Sequence, residues 1–422
     1  MTMTTTTTTG ADAETFIHQR NRKMKATVWF ILMMVLVCIS SLACNEEDDG
    51  DCETDCPGAD DDATDDDDSS VNDDDNDSAD DDFVDPQVEI TEPTLLLNPD
   101  GSLHGRGWAR TPLIQYNPEY IPDYLKWRVK VWDHYTIIAP DFAFAFNIAD
   151  IQYATFISYE VVDFNAGTIT TGVDLLLGSH GGIPLTPMET THYESRHALF
   201  NISYNEGVRT LTARVDKTLL AVPMSCDITL TQQPGDENVV AAAPFNEAGY
   251  FFYENKTIGM PASGEVTIDG KTYLFHPEDS YAVLDWGRGV WPHSHEWHWG
   301  FAAGIVQGDL IGLNIGDGWS DDSWGTSNIQ KHQGKVHKLY HVYFDYDPND
   351  LMKPWEVTSD GDLLRATLTP YYHQKSGIMT CDLGMLVDKM YGTFSGRLTL
   401  DDGTIVIFED IRGFIEHSFQ KW

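Results

Sequence analysis

Asp141-Phe142-Ala143-Phe144-Ala145-Phe146-Asn147 alternates bulky and small side chains with a period of two. In an extended chain that spacing places the three phenylalanines on one face and the alanines on the other, the signature of a β-strand rather than a helix. Upstream, Trp127 to Tyr135 alternates in the same way, and puts Trp127, Val129, Val131, Asp133 and Tyr135 on one face. Downstream, strands are predicted over Ala154–Val162, Arg209–Val215, Gly264–Ile268, Lys271–Phe275, His337–Tyr346, Arg397–Leu400 and Ile405–Phe408. Asp269-Gly270 and Asp401-Asp402-Gly403 sit between strand runs as turn signals. No long amphipathic helix interrupts the series. Many short strands with regular turns predict an all-β, antiparallel architecture. The folded part is large for one barrel, so two tandem barrels are expected, residues 86–238 and 239–422. The divide falls where Gln233-Pro234-Gly235-Asp236 and an alanine run break the pattern.

The charge is uneven. The formal net charge of the 422 residues is −41, and Glu46 to Asp85 holds 22 Asp or Glu with no Lys or Arg. The remainder from Pro86 onward carries −21. A domain of that sign repels phosphate backbones, which excludes nucleic acid as the expected partner. Residues 44–85 have almost nothing to bury and lack the ligand spacing of a calcium loop, so a solvated spacer is expected there.

Ahead of the spacer, Met24-Lys25 precedes the apolar run Val28–Cys38, and Ser40, Ser41, Leu42 and Ala43 lead to Cys44. A positive start, a short apolar core and a small-residue end are the layout of a secretory leader. The segment resembles the lipobox of bacterial lipoproteins, with Ser41 where leucine is usual, and implies cleavage before an acylated Cys44. Residues 1–43 are thus expected to be a leader, with Met24 as an alternative start, and the domain an extracytoplasmic one tethered to the membrane. Cys52 and Cys56 are close enough for a local disulfide; Cys226 and Cys381 either pair or are separately buried.

The densest chemistry lies in Leu284-Asp285-Trp286-Gly287-Arg288-Gly289-Val290-Trp291-Pro292-His293-Ser294-His295-Glu296-Trp297-His298-Trp299-Gly300. If Pro292 to Gly300 is extended, His293, His295, Trp297 and Trp299 share one face, and Ser294, Glu296 and His298 the other. Three readings are open. His293-Ser294-His295 points two imidazoles one way, as a metal site would, but Trp299 and Gly300 stand where an acidic ligand is needed, so neither metal nor cofactor is expected. Asp285, His293, His295, Glu296 and His298 are candidates for acid–base catalysis, with Trp286, Arg288, Trp291, Trp297 and Trp299 as candidate ligand-binding residues. Tryptophan would desolvate the titratable groups and stabilise a developing positive charge. In the third reading the aromatic residues fill a core and Arg288 pairs with Asp285.

Smaller features are weighed beside these. His192 and His197 either approach a tryptophan-lined cavity around those titratable groups or sit at a polar edge. Trp319 and Trp324, in an Asp/Ser/Gly loop, suit a lid, a sugar-stacking platform or packing between barrels. Asn201-Ile202-Ser203 and Asn255-Lys256-Thr257 fit glycosylation spacing, which has no weight in a bacterial lipoprotein.

Gly105-Arg106-Gly107-Trp108-Ala109-Arg110-Thr111-Pro112-Leu113, Leu284 to Pro292, Gly392-Thr393-Phe394-Ser395-Gly396 and the closing Glu416-His417 with Trp422 resemble the domain of unknown function 2804 proteins. That resemblance implies a distant relation to calycin-type double-barrel proteins, which include carotenoid 1,2-hydratase and fungal Diels–Alderase-like enzymes. It therefore implies two lipocalin-like barrels around an apolar small molecule, with a carboxylic acid that protonates an olefin. Asp285 and His295–Gly300 loosely echo the acid-bearing segment of that hydratase, and a lipid tether departs from a role in pigment synthesis. The expected function is binding of a hydrophobic small molecule, with hydratase or isomerase chemistry on it. A non-catalytic carrier and a carbohydrate-binding surface protein are the competing expectations. No feature sets the oligomeric state.

Overall fold

The computed structural model describes residues 87–379 and 383–422; the leader, Cys44, Cys52, Cys56, the acidic tether and Cys381 lie outside the described residues. Among these residues the regular structure is β-strand, apart from single 3-10 turns at Pro118–Tyr120, Lys126–Arg128 and Asp360–Asp362.

The first strands of the described residues are short, β1 (Thr94–Leu95), β2 (Gly107–Ala109) and β3 (Ile114–Gln115). A meander follows, β4 (Val129–Ile138), β5 (Phe142–Asp150), β6 (Ala154–Asp163) and β7 (Thr168–Leu177). Next come β8 (Thr191–Glu194), β9 (Ala198–Asn205), β10 (Val208–Val215) and β11 (Met224–Thr231). The first large sheet is completed by β12 (Val239–Pro244), β13 (Phe251–Ile268), β14 (Lys271–Phe275) and β15 (Tyr281–Val290). Its main path runs β7-β6-β5-β4-β15-β13-β11-β10-β9-β8, with β12 and β14 also paired to β13 and β2 paired to β12. The second sheet starts with β16 (Ser294–Val306), β17 (Asp309–Asp317), β18 (Ile329–His332) and β19 (Lys335–Lys338). It continues with β20 (Val342–Asp345), β21 (Trp355–Ser359), β22 (Leu364–Met379), β23 (Gly384–Thr399) and β24 (Ile405–Lys421), in the order β19-β18-β17-β16-β24-β23-β22-β21-β20.

Both sheets are antiparallel and curl around a core of their own. Phe142, Phe144 and Phe146 point into the first, with Tyr135, Phe200 and Trp286, while Ala143 on the opposite face of β5 joins a layer between the sheets. Leu313, Trp355, Leu368 and Phe394 fill the second. The curl returns the β7 edge to the chain just before β11, where Val173 N–H donates to the Leu220 carbonyl at 2.9 Å. Beyond that isolated bridge, no strand ladder among the described residues closes either sheet, so each is a half-barrel. Sheet membership changes between Val290 and Ser294, whereas the break in the sequence pattern lies at Gly235–Asn246.

Several strands are longer than their alternation implies. Gly264–Ile268 is the end of the 18-residue β13, and Arg397 and Ile405 lie in β23 and β24. Register shifts at Ile258/Met260 and Phe394/Gly396 reset the two-residue period, so the pattern is readable only in pieces. His337–Tyr346 is not one strand: Tyr340 takes φ 59° and separates β19 from β20. Trp127 lies in a 3-10 turn, exposed, instead of on the wall formed by Val129, Val131, Asp133 and Tyr135. Asp269 (φ 47°) and Gly270 (φ 81°) make the expected two-residue hairpin.

Candidate functional site

Period-two geometry divides the Leu284–Gly300 segment among three environments. On β15, Asp285 and Gly287 face the layer between the sheets, and Trp286 and Arg288 face the interior of the first sheet. Gly287 is where Trp132 crosses: a Cβ there would stand 2.1 Å from the indole ring. On β16, Trp297 and Trp299 face the intersheet layer and His298 faces the interior of the second sheet, the alternation predicted from sequence.

Arg288 does not pair with Asp285. Adjacent positions of a strand point to opposite faces, and three residues of offset do the same. Its guanidinium donates to Asp133 Oδ1 at 2.9 Å and to the carbonyls of Trp132, Gly287 and Pro184. It lies 3.7 Å over the Trp286 ring. Arg288 therefore ties β15 to β4 and to the Gly178–Thr190 loop.

Asp285 pairs instead with Lys256, its direct cross-strand neighbour on β13. Lys256 Nζ is 3.1 Å from Asp285 Oδ2 and 3.1 Å from Glu254 Oε2, and the lysine and Glu254 are completely buried. Asp285 Oδ1 accepts no hydrogen bond. The ammonium lies 4.1 Å over the Trp299 ring and 5.1 Å from Trp319. Burial works against the lysine charge, but the two carboxylates outweigh it and hold Lys256 above its ordinary value. Burial pushes Glu254 up to about 7; Lys256 opposes the shift and Asp285 adds to it. Two carboxylates share one ammonium, so the trio is disposed to hold an extra proton near neutrality. His134, opposite Asp285 on β4, is held well below its ordinary value by loss of solvation and by Lys389 and Lys256. From the second sheet, Lys389 meets Glu416 at 2.9 Å, and Trp299 Nε1 donates to Asn314 Oδ1 at 2.9 Å.

Aromatic rings enclose this polar group. Trp319 stacks between Phe252 (5.6 Å) and Trp297 (5.0 Å), and Trp291 packs on Trp132, Phe252 and Trp297. Trp319 is 6% exposed, so of the three roles weighed for it the structure gives packing between the sheets, not a sugar platform. Trp324 lies under Arg106. Trp108 of the Gly105–Leu113 motif is buried in the same layer.

The remaining candidates disperse. His293 is exposed, its Nδ1 3.0 Å from the Trp422 carbonyl. His295 packs on Phe245 and Trp291, and burial lowers it. Glu296 and His298, on the other face, meet His417 and Asp317. Among the described residues no three His, Cys, Asp or Glu are grouped to hold a metal ion. His192 and His197 lie at the polar edge of the first sheet, the former 3.6 Å from Glu194. Cys226 is buried, its thiol pushed up to about 12 by burial. Two open surface depressions, against Asp227 to Leu274 and Glu194 to Asp216, are lined by no residue of Leu284–Gly300.

Sequence reasoning missed Glu254, Lys256 and Lys389. The signal was present in Phe252-Tyr253-Glu254-Asn255-Lys256-Thr257, where two opposite charges two residues apart interrupt a strand-like run.

The chain belongs to the family described as Domain of unknown function (DUF2804), whose model matches residues 87–422. No curated protein matches it. Solved structures similar to it include a putative AttH from Nitrosomonas europaea (11% identity, TM-score 0.39, covering 69% of this chain and 92% of that one). Kievitone hydratase from Nectria haematococca is also similar (14%, TM-score 0.40, 69% and 88%), as is CghA with Sch210972 (14%, TM-score 0.36, 69% and 88%). At that level of similarity the chemistry of those proteins is not carried over.

Proposed function

We propose that the chain is a lipoprotein, tethered outside the cytoplasm through Cys44, that binds an apolar small molecule in the layer between its sheets and transfers a proton to it. The observation that carries this reading is the buried Glu254–Lys256–Asp285 group beneath Trp299 and Trp319. A carboxyl held up to about 7 is a usable general acid at neutral pH. The tryptophan faces would stabilise positive charge on an olefin as the proton arrives, which is hydratase- or isomerase-type chemistry. Asp285, whose Oδ1 accepts no hydrogen bond, shares the Lys256 ammonium with Glu254 and adds to the upward shift of its carboxyl.

Native mass spectrometry of the protein purified from its own membrane tests the reading. A co-purified apolar molecule is expected, converted by the native protein and retained unconverted by Glu254→Gln and Asp285→Asn. Retention with no conversion by any form would make the protein a carrier. A bound sugar, or no ligand together with unaltered variants, overturns the proposal. Loss of membrane association in Cys44→Ser tests the tether separately.

A further inference from the structure

The concave face of the second sheet carries a different row of titratable groups. Register pairs Asp317 with His298, His298 with His417, His417 with Asp388 and Asp388 with Lys375, across β17, β16, β24, β23 and β22. His298 is engaged at both nitrogens. Its Nδ1 is 2.8 Å from Asp317 Oδ1, and its Nε2 is 3.1 Å from Tyr346 Oη. A carboxylate only accepts hydrogen bonds, so Asp317 selects the tautomer with hydrogen on Nδ1 and leaves the Nε2 lone pair to receive the Tyr346 O–H. This is the connectivity of an acid–imidazole–hydroxyl triad, recognisable by geometry in any fold.

The surroundings suit a reacting hydroxyl. The Tyr346 ring lies flat on Trp355, at 3.7 Å and 3°, and Trp355 is completely buried, so the phenol rests on a rigid floor while remaining partly open to solvent. His417 stacks on His298 at 4.7 Å and is itself 2.6 Å from Glu296 Oε1. Asp317 and Glu296 are thus placed to balance a proton arriving on the imidazole pair.

The geometry points to Tyr346 as an oxygen nucleophile, with His298 as its general base and Asp317 as the residue that positions the imidazole. The substrate class is a small electrophile, acyl or sulfonyl, that is neutral or cationic; Asp317, Glu296 and Asp388 repel an anion. In the step, Tyr346 Oη bonds to the electrophilic carbon or sulfur and its proton passes to His298 Nε2. The leaving group departs with its bonding pair and takes the proton back from His298. Burial, with Asp317 and Glu296, holds the phenol above its ordinary value, so the proton leaves during bond formation and not before it. This site lies on the opposite face of β16 from the intersheet group and stands independently of the function proposed for that group.

A neutral aryl sulfonyl fluoride, with labelled tyrosines located by mass spectrometry after reaction of the full-length protein, is the direct probe. Tyr346 should label at least about tenfold faster than Tyr124, which is 71% exposed and has no imidazole partner among its hydrogen bonds. His298→Gln and Asp317→Asn should each lower Tyr346 labelling by about tenfold or more while Tyr124 keeps its rate. Equal rates at the two tyrosines, or an unchanged Tyr346 rate in His298→Gln, overturn the proposal. The imidazole 15N spectrum of the unmodified protein gives a test that needs no variant. Hydrogen on His298 Nδ1 is expected, and hydrogen on Nε2 would reverse the relay and sink it.

Discussion

The intersheet group and the concave row of the second sheet are built from the same residue types and are separated by one strand face of β16, yet they differ in water. Lys256 and Glu254 are completely buried, whereas the side chains of Glu296 and Asp317 are 59% and 40% exposed. Coulomb attraction between paired charges is weak in water and strong in a dry interior, but so is the cost of removing them from water. In the dry group, charges are therefore obliged to stay paired, and the spare carboxyl is driven toward its neutral form. In the wet row, each imidazole–carboxylate pair is an orienting device that contributes little to stability. Burial, not composition, sets the difference between the two clusters.

The sharpest way to break this contrast is to remove the shared cation. Lys256→Met would leave Glu254 and Asp285 facing each other without a counter-charge, and a loss of about 3–5 kcal/mol in unfolding free energy is expected from urea titration at neutral pH. A loss below about 1 kcal/mol would mean that water reaches the carboxylates, and the distinction between the clusters would fail.

A pH series tests the same point without touching the lysine. The carboxyl of Glu254 titrates higher in the folded protein, about 7, than in the unfolded chain, so the folded state binds the extra proton. Its contribution is fully present below the unfolded value near 4.5 and is lost as pH rises through about 7. Stability should therefore fall between about pH 4.5 and 7, by up to roughly 3 kcal/mol, and the slope should flatten in Glu254→Gln. A slope that is the same in both proteins would remove Glu254 as the proton holder.

Arg288 gives an intermediate case, a buried cation whose hydrogen bonds are nearly all to backbone. Arg288→Lys keeps the charge but cannot span Asp133 and the carbonyls of Trp132, Gly287 and Pro184 together, and about 2 kcal/mol of destabilisation is expected by thermal or urea unfolding. A neutral result would show that the charge alone, not the fork geometry, holds β15 to β4.

How far this was legible in sequence follows from period and range. Phe142-Ala143-Phe144-Ala145-Phe146 and the Pro292–Gly300 alternation specify faces locally, and the all-β class and the split between Trp297/Trp299 and Glu296/His298 were readable from them. Bulges inside β13 and β23 hide their lengths, because one extra residue moves the pattern to the other face. Partners were not readable. Lys256 meets Asp285 through cross-strand register 29 positions away, and Lys389 and Glu416 arrive from a second sheet. The pairing of Arg288 with Asp285, one of the readings the sequence leaves open, is closed by geometry: on a strand, residues three apart face opposite ways, and Asp133 on the neighbouring strand is the partner.

The smallest expected effect lies in the wet row. Glu296→Gln removes a charge from His417 while retaining an oxygen that can still accept from its Nε2, in a pair whose side chains are 59% and 29% exposed. Solvent screens such a pair, and the cost of ordering two side chains offsets much of the attraction, so the unfolding free energy should change by less than about 1 kcal/mol at neutral pH. Salt supplies the discriminating control. Raising ionic strength to about 1 M shortens the screening distance to about 3 Å and should erase even that difference, while leaving the deficit of Lys256→Met nearly intact. If the Glu296→Gln deficit instead matched that of Lys256→Met and survived salt, the concave row would have to be dry, and its imidazoles would be structural fasteners with no substrate to meet.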